Sequence, residues 1–314
     1  MKNTIFIVNP ASARGATRRA WAEMRAELVS LVPEFIERIT SRAGEATEVT
    51  REALKSGISR VIAVGGDGTL SEVVNGYIDD TGYPINEGAA IGVLPSGTGS
   101  DFCRSLGLSS SKEAIAAVTG ASTRMIDAVR VVYNDRHGAS ESRSFINVAS
   151  FGLGGDVSAL VNGWRDSLPR WVGGRARFVA AAVRALERYR NYDVQVRLDD
   201  DREIEIASNL IVAANGKFGG AGMKLAPRAE MDDGLLDVIL TDRATRFDVI
   251  KELPRIRRGG YLSNPKVTQF RARRVSITAS EPMAIDVDGE MAGYTPAHLT
   301  VLPLAVRFLM GAGG

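Results

Sequence analysis

Residues 61–75, VIAVGGDGTLSEVVN, constrain this chain more than any other stretch. Val61, Ile62, Ala63 and Val64 form the β-branched, apolar run of a buried strand. Gly65 and Gly66 break it, and Leu70, Val73, Val74 and Tyr77 then recur at helical spacing. A strand that stops on two glycines and turns straight into a helix leaves free backbone N–H groups at the helix N-terminus, where phosphate binds well. Asp67 adds a carboxylate beside that position. Carboxylate next to phosphate is unfavourable unless a cation or an ordered water stands between them, which points to metal-bound nucleotide. The plainer alternative is an ordinary strand-to-helix turn with Asp67 as its cap.

The surrounding sequence repeats the same strand–helix pattern. Thr4–Val8 reads as a first strand, followed by the small loop Ala11–Gly15 and a helix with Trp21, Met24, Leu28 and Leu31 on one face. Glu34–Thr40 reads as a second strand, Ala46–Lys55 as a helix closed by Gly57, and Ala89–Leu94 as a fourth strand. This alternation predicts a parallel sheet covered on both faces, with ligands at the C-terminal strand ends. Asn9–Gly15, Thr40–Gly44, Gly65–Thr69 and the loop PSGTGSDF from Pro95 then converge on one edge. From about residue 125 strand-like runs crowd together: Met125–Tyr133, Ser144–Ser150, Tyr192–Leu198, Glu203–Ala214, Leu235–Leu240, Val267–Phe270 and Arg274–Thr278. They predict an antiparallel second domain. The expected boundaries are 1–124, 125–297 and a C-terminal return over 298–314 that packs back on the first domain.

At 314 residues the chain is long enough for two cores, and 45% hydrophobic with 24% charged residues is the balance of a soluble globular protein. A net charge of +2 argues against a whole-molecule field for nucleic acid. Cys103 is the one cysteine, which excludes an intramolecular disulfide and suits a reducing cytoplasm. MKNTIFIVNP breaks too soon for a signal peptide, and no apolar run reaches the length of a membrane span. Two stretches are locally basic. Arg165, Arg170, Arg175, Arg177, Arg184, Arg188 and Arg190 interleave with Trp164, Leu168, Trp171, Val172, Phe178, Val179 and Val183. Lys251, Arg255, Arg257, Arg258, Lys266, Arg271, Arg273 and Arg274 form a second group. Such mixtures suit an anionic membrane surface, or equally a core face backed by solvated arginines.

GGDGTLSEVVNG, Gly65–Gly76, resembles the nucleotide-binding signature of the diacylglycerol kinase catalytic-domain family. NPASARG from Asn9 resembles its first loop, and PSGTGSDF its second glycine-rich motif, with Ser100 where the family has Asn. Ser keeps a hydroxyl for capping. SFINVASFGLGGD from Ser144 and NLIVAANGKFGGAGMKLAPR from Asn209 resemble its junction and glycine-rich segments, so the likeness runs over nearly the whole chain. It implies a Rossmann-like parallel α/β domain, as in NAD kinases and phosphofructokinases, followed by an antiparallel β-sandwich. It further implies an ATP-dependent lipid kinase. Nucleotide contacts are implied at Asn9, Thr40, Gly65, Gly66, Asp67, Gly68, Thr69, Glu72 and Thr98. A magnesium site is implied at Asp233 with the backbone carbonyls of Glu230 and Leu235. Without the family, that acidic run reads as a solvated turn.

Phosphoryl transfer also requires a base for the acceptor hydroxyl. Asp286-Val287-Asp288-Gly289-Glu290 is the candidate. Alternation along a strand would put its three acids on one face, where repulsion should raise at least one pKa. An Asp-Gly hairpin turn is the alternative. Spacing leaves Asp288 and Glu290 unresolved; the family's DGE motif implies Glu290 as proton acceptor with Asp288 close by. The competing functions are an NAD kinase, a 6-phosphofructokinase and a non-catalytic nucleotide- or lipid-binding regulator. The first lacks a recognisable T-G-S-T-A-Y motif here, and the second requires a duplicated α/β domain. The expected partners are a lipid with a free hydroxyl, the inner face of an anionic membrane and a second copy of the chain in a homodimer; the acceptor lipid stays open.

Overall fold

The computed structural model describes residues 3–32, 34–96, 100–108, 110–164 and 173–311. Its contacts divide the chain into two compact units, Met1–Ala128 with Leu302–Gly314, and Val129–Val301.

The first unit runs β1 (Thr4–Val8), a 3-10 turn (Ser12–Gly15), α1 (Ala16–Leu31), β2 (Ile36–Ile39), α2 (Glu45–Lys55), β3 (Arg60–Gly65), α3 (Asp67–Tyr77), β4 (Ala90–Pro95), α4 (Asp101–Ser105) and α5 (Ser111–Thr119). The strands are parallel in the order β2-β1-β3-β4, and the end of the chain's last strand lies parallel beside β4, pairing Phe308 with Ile91. Helices cover both faces of such a sheet, so Ile5–Val8 and Val61–Val64 are buried without alternation. Phe6, Trp21, Leu28, Ile62, Leu94, Ile115 and Leu309 belong to one core. Leu31 departs from expectation: it is 51% exposed. At 3.6 residues per turn it falls about 80° from Trp21, at the rim of the apolar stripe. The N–H groups of Gly57 and Ile58 close α2 on the carbonyls of Leu54 and Ala53, at 3.1 and 3.0 Å, with Gly57 at φ 90°. Gly76 lets α3 lie against α2, since a Cβ there would sit 2.5 Å from the Thr47 carbonyl.

The second unit is built from β5 (Thr123–Asn134), β6 (Ser140–Phe145), β7 (Val148–Gly152), α6 (Leu153–Gly163), α7 (Gly174–Glu187), β8 (Tyr192–Leu198), β9 (Arg202–Ser208), β10 (Leu210–Ala214), β11 (Leu236–Thr241), α8 (Arg246–Arg258), β12 (Val267–Ala272), β13 (Arg274–Ala279), β14 (Ala284–Val287) and β15 (Glu290–Leu309). β5 begins, and β15 ends, in the first unit. An antiparallel path β12-β11-β10-β7-β14-β15 is joined at β15 by the ribbons β13-β8-β9 and β5-β6. The inward faces form one sandwich core that includes Val131, Phe145, Phe151, Val196, Ile211, Val238, Ile277 and Ile285. β10 is buried on both sides: Ile211 and Ala213 enter that core, and Val212 and Ala214 a second cluster with Ile239, Ile256 and Tyr261. That double burial explains its unbroken apolar sequence.

Three expected strands are broken. Ser144–Ser150 divides into β6 and β7 around Ile146 and Asn147, because the Asp288 carboxylate takes the backbone N–H groups there. Glu203–Ala214 divides at Asn209, whose carbonyl accepts from Leu153 N–H at 2.8 Å. Asp286–Glu290 is no single strand but a hairpin, β14 turning into β15 through Asp288 and Gly289 at φ 51° and 87°. Two positive φ values in succession are what a two-residue hairpin turn matched to strand twist requires.

Candidate functional site

In the first unit the glycine corner does two different things. A Cβ on Gly65 would sit 2.4 Å from Thr69 Oγ1, so this glycine is needed for packing at the strand–helix junction. A Cβ on Gly66 would meet nothing within 4 Å among the described residues, which leave space beside the start of α3. The first intrahelical bond, Leu70 N–H to the Gly66 carbonyl at 3.2 Å, lies beyond the N–H groups of Asp67, Gly68 and Thr69. That end of α3 therefore suits an anion.

The neighbouring loops are tied to the corner by short polar side chains. Asn9 Nδ2 donates to Thr69 Oγ1 at 3.1 Å, while its Oδ1 accepts from Ala11 and Ser12 N–H at 3.1 and 3.2 Å. Ser12, Thr17 and Ser96 form a hydroxyl chain, with Thr17 Oγ1 2.5 Å from each neighbour. Asp67 accepts from Ser100 Oγ at 2.6 Å and from Asp101 N–H at 3.1 Å. Burial pushes its carboxyl above the usual range, opposed by those hydrogen bonds. Ser100 also caps α4 by accepting Cys103 N–H at 3.1 Å, the hydroxyl role its identity suggested. Asp67 thus fastens one glycine-rich loop to the next.

Thr40 is buried at the end of β2, with its N–H on the Val8 carbonyl at 2.9 Å. Glu72 Oε2 accepts Ala46 N–H at 3.0 Å and so serves the start of α2. Thr98, with Gly97 and Gly99, lies outside the described residues.

In the second unit the β14–β15 hairpin separates the three acids expected on one face. Asp288 is buried in the turn, where its carboxylate accepts the N–H groups of Ile146, Asn147 and Val148 at 3.3, 3.1 and 3.0 Å. Asp286 accepts from Ser158 Oγ of α6 at 2.6 Å and from Ser150 Oγ at 3.4 Å. Desolvation pushes the Asp286 carboxyl up to about 7, and repulsion from Asp288 adds to it. Glu290 opens β15 half-buried, with Arg143 Nη2 3.6 Å from its carboxylate.

The acidic run lies before β11. Asp233 Oδ1 accepts Leu235 N–H at 3.0 Å, and its other oxygen pairs with Arg271. Asp237 is buried, accepts from Gln269, and has Arg271 Nε 3.9 Å away. Desolvation raises the Asp237 carboxyl, and the Glu230 charge raises it further. Among the described residues no group of three or more His, Cys, Asp or Glu side chains could hold a metal. The set implied by the family resemblance uses one carboxylate with two backbone carbonyls instead. Hard oxygens, an Asp237 Oδ2 that is buried without a hydrogen-bond partner among the described residues, and an arginine already drawn between two aspartates all fit a cation there.

Sequence reasoning missed Ser12, Thr17, Ser96, Ser158, Arg143 and Gln269. Ser158 meets its carboxylate across 128 residues, and Arg143 of β6 meets Glu290 of β15 from a strand far away in sequence, so no local spacing could have signalled them. Ser96 had a weak signal in its place within the second glycine-rich loop.

Residues 3–131 match the diacylglycerol kinase catalytic domain, and residues 147–310 the YegS C-terminal NAD kinase beta sandwich-like domain. A diacylglycerol kinase of Staphylococcus carnosus (strain TM300) is 30% identical over 303 residues, covering 95% of this chain and 91% of its own. One from Bacillus subtilis (strain 168) is 28% identical over 314 residues, covering 99% and 97%. Among solved structures, a diacylglycerol kinase from Bacillus anthracis str. Sterne has a TM-score of 0.70 at 19% identity, covering 99% of this chain and 97% of that one; this likeness is one of fold. The chain belongs to the diacylglycerol kinase family, and is with it a lipid kinase. The Rossmann-like domain followed by a β-sandwich is the architecture expected from the sequence, and the described residues form no second α/β domain of the kind a 6-phosphofructokinase requires. No helix among the described residues is long and apolar enough to cross a membrane.

Proposed function

We propose that this chain transfers the γ-phosphoryl group of ATP to the free hydroxyl of diacylglycerol, with magnesium as the accompanying cation. The first unit holds the nucleotide: the N-terminus of α3 and the space at Gly66 receive phosphate, and Asn9, Thr40, Gly65, Asp67, Gly68, Thr69 and Glu72 shape or line the site. Asp67 acts by fixing the second loop. Glu290 takes the proton of the acceptor hydroxyl as its oxygen attacks the γ-phosphorus and the bond to the β-phosphate oxygen breaks, releasing ADP. Asp233 and the carbonyls of Glu230 and Leu235 would hold magnesium, which when bound supplies positive charge that fixes the acidic loop.

One observation carries the choice of base. The Asp288 carboxylate is already committed to the N–H groups of Ile146, Asn147 and Val148, whereas Glu290 presents a half-buried carboxylate from the adjoining strand. Asp288 is therefore the positioning residue and Glu290 the acceptor of the proton. Access to the acceptor requires contact with an anionic membrane surface, and a homodimer is the default assembly for such an enzyme, readable by analytical ultracentrifugation.

Incubating the protein with γ-labelled ATP, magnesium and, separately, diacylglycerol, phosphatidylglycerol, a sphingoid base, ceramide and NAD tests the assignment. Label in phosphorylated diacylglycerol is the expected result. Label in NADP would transfer the assignment to an NAD kinase, and nucleotide binding without any transfer to a regulator.

A further inference from the structure

Helix α8 has two apolar faces where a surface helix ordinarily has one. Val249 and Ile256 are buried against the second unit, while Phe247, Ile250 and Leu253 are 67%, 48% and 40% exposed. Phe247, Ile250, Lys251, Pro254, Arg257 and Arg258 project within about 120° of one another on a 3.6-residue wheel, and all six are exposed. Arg246 is exposed too and holds its guanidinium 5.1 Å from the Phe247 ring centroid.

The two acids of α8 point elsewhere and are neutralised. Asp248 pairs with Lys266 at 2.7 Å and completes a capping box with Thr245; Glu252 accepts from Arg255 and Asn264, each at 3.1 Å. The helix contributes five cations against two carboxylates, in a chain whose formal charge is only +2. Its N-terminal capping box and the left-handed Gly259 at its C-terminus hold it formed without a ligand.

We propose that α8 docks this enzyme on an anionic lipid surface, lying in the headgroup layer with Phe247, Ile250 and Leu253 toward the acyl chains and Arg246, Lys251, Arg257 and Arg258 on lipid phosphates. This rests on the lipid-kinase reading and names the surface that reading needs. Charge and apolarity together select the occupant. A second copy of so cationic a face would repel the first, and a nucleic-acid backbone would leave the exposed Phe, Ile and Leu without a partner.

Flotation of the full chain with vesicles of phosphatidylcholine alone, and of phosphatidylcholine with phosphatidylglycerol, is the test. The wild type should float with the anionic vesicles and be released by salt. Arg257→Gln with Arg258→Gln should lower the partition coefficient about thirtyfold, at roughly 1 kcal/mol per basic residue. Phe247→Ser with Ile250→Ser should lower it about tenfold or more. Both double variants should melt like the wild type and phosphorylate detergent-dispersed diacylglycerol at its rate. Variants that float like the wild type, or wild-type binding that is equal on neutral vesicles, overturn the proposal. A protein that phosphorylates dispersed lipid but never floats refutes the docking surface alone; one that floats but phosphorylates nothing refutes the kinase reading alone.

Discussion

Asp67 of the α/β unit and Asp288 of the β-sandwich unit share a sequence setting, each an aspartate next to glycine, and each works as a latch. They differ in what they latch. Asp67 reaches 33 residues along the chain, from one glycine-rich loop to the next, through a hydroxyl and an N–H. Asp288 reaches back about 140 residues and holds three successive N–H groups at the β6–β7 break. The α/β unit thus assembles its loops from neighbouring strand–helix units. The β14–β15 hairpin of the other unit depends on contacts between strands remote in sequence.

That difference can be broken most forcefully at Asp288. Asp288→Ala leaves three buried N–H groups without their acceptor, and at about 1–3 kcal/mol each the loss is at least about 3 kcal/mol. Urea denaturation should register it as a lower midpoint with an unchanged slope. Phosphoryl transfer should fall as well, since the turn that precedes Glu290 loses its anchor.

The glycine pair sharpens the contrast inside the first unit. Gly65→Ala forces a Cβ toward the Thr69 side chain and should cost about 1–3 kcal/mol of stability, read by thermal melting. Gly66→Ala adds a methyl where the described residues leave room, at φ −99° and ψ −170°, which any residue adopts. It should leave the melt unchanged and weaken ATP binding by about tenfold or more in calorimetry, since the methyl stands where phosphate approaches. Equal effects of the two substitutions on both readouts would contradict the assignment of phosphate to Gly66.

Asp286 gives the most conditional effect, since it depends on pH. Its folded pKa of about 7 lies above the ordinary 3.8, so between these values the folded chain holds a proton that the unfolded chain has released. Stability from this group is full below about 3.8, falls as pH rises, and is lost above about 7. Asp286→Asn should therefore gain on the wild type progressively across that window, as denaturant midpoints measured from pH 4 to 8 would record. A constant difference would mean that Asp286 titrates normally.

Much of the first unit was readable because its determinants are local. Val61–Val64 with Gly65-Gly66 marks a strand end, and Leu70, Val73, Val74 and Tyr77 are all buried as their spacing predicts. Long-range carboxylate contacts were not readable. Alternation placed Asp286, Asp288 and Glu290 on one face, while the Asp-Gly pair offered the hairpin turn that the structure adopts, with Asp288 and Gly289 at positive φ; five residues alone did not decide between the two. The breaks at Asn147 and Asn209 were hidden for the same reason: the groups that interrupt each ladder come from elsewhere in the chain. Position 100 is instructive in the other direction. Its hydroxyl both caps α4 and donates to Asp67, two contacts that follow from serine's chemistry once the loops are neighbours.

If nucleotide is held by the first unit while Glu290 takes the proton of the alcohol, binding and transfer separate at one residue. Glu290→Gln, assayed for ATP affinity and for single-turnover transfer to diacylglycerol on the same sample, tests it most directly. The account predicts wild-type affinity with transfer slowed by about two to four orders of magnitude. Transfer within a few-fold of wild type at saturating ATP would remove Glu290 from the chemistry and the proposed mechanism with it.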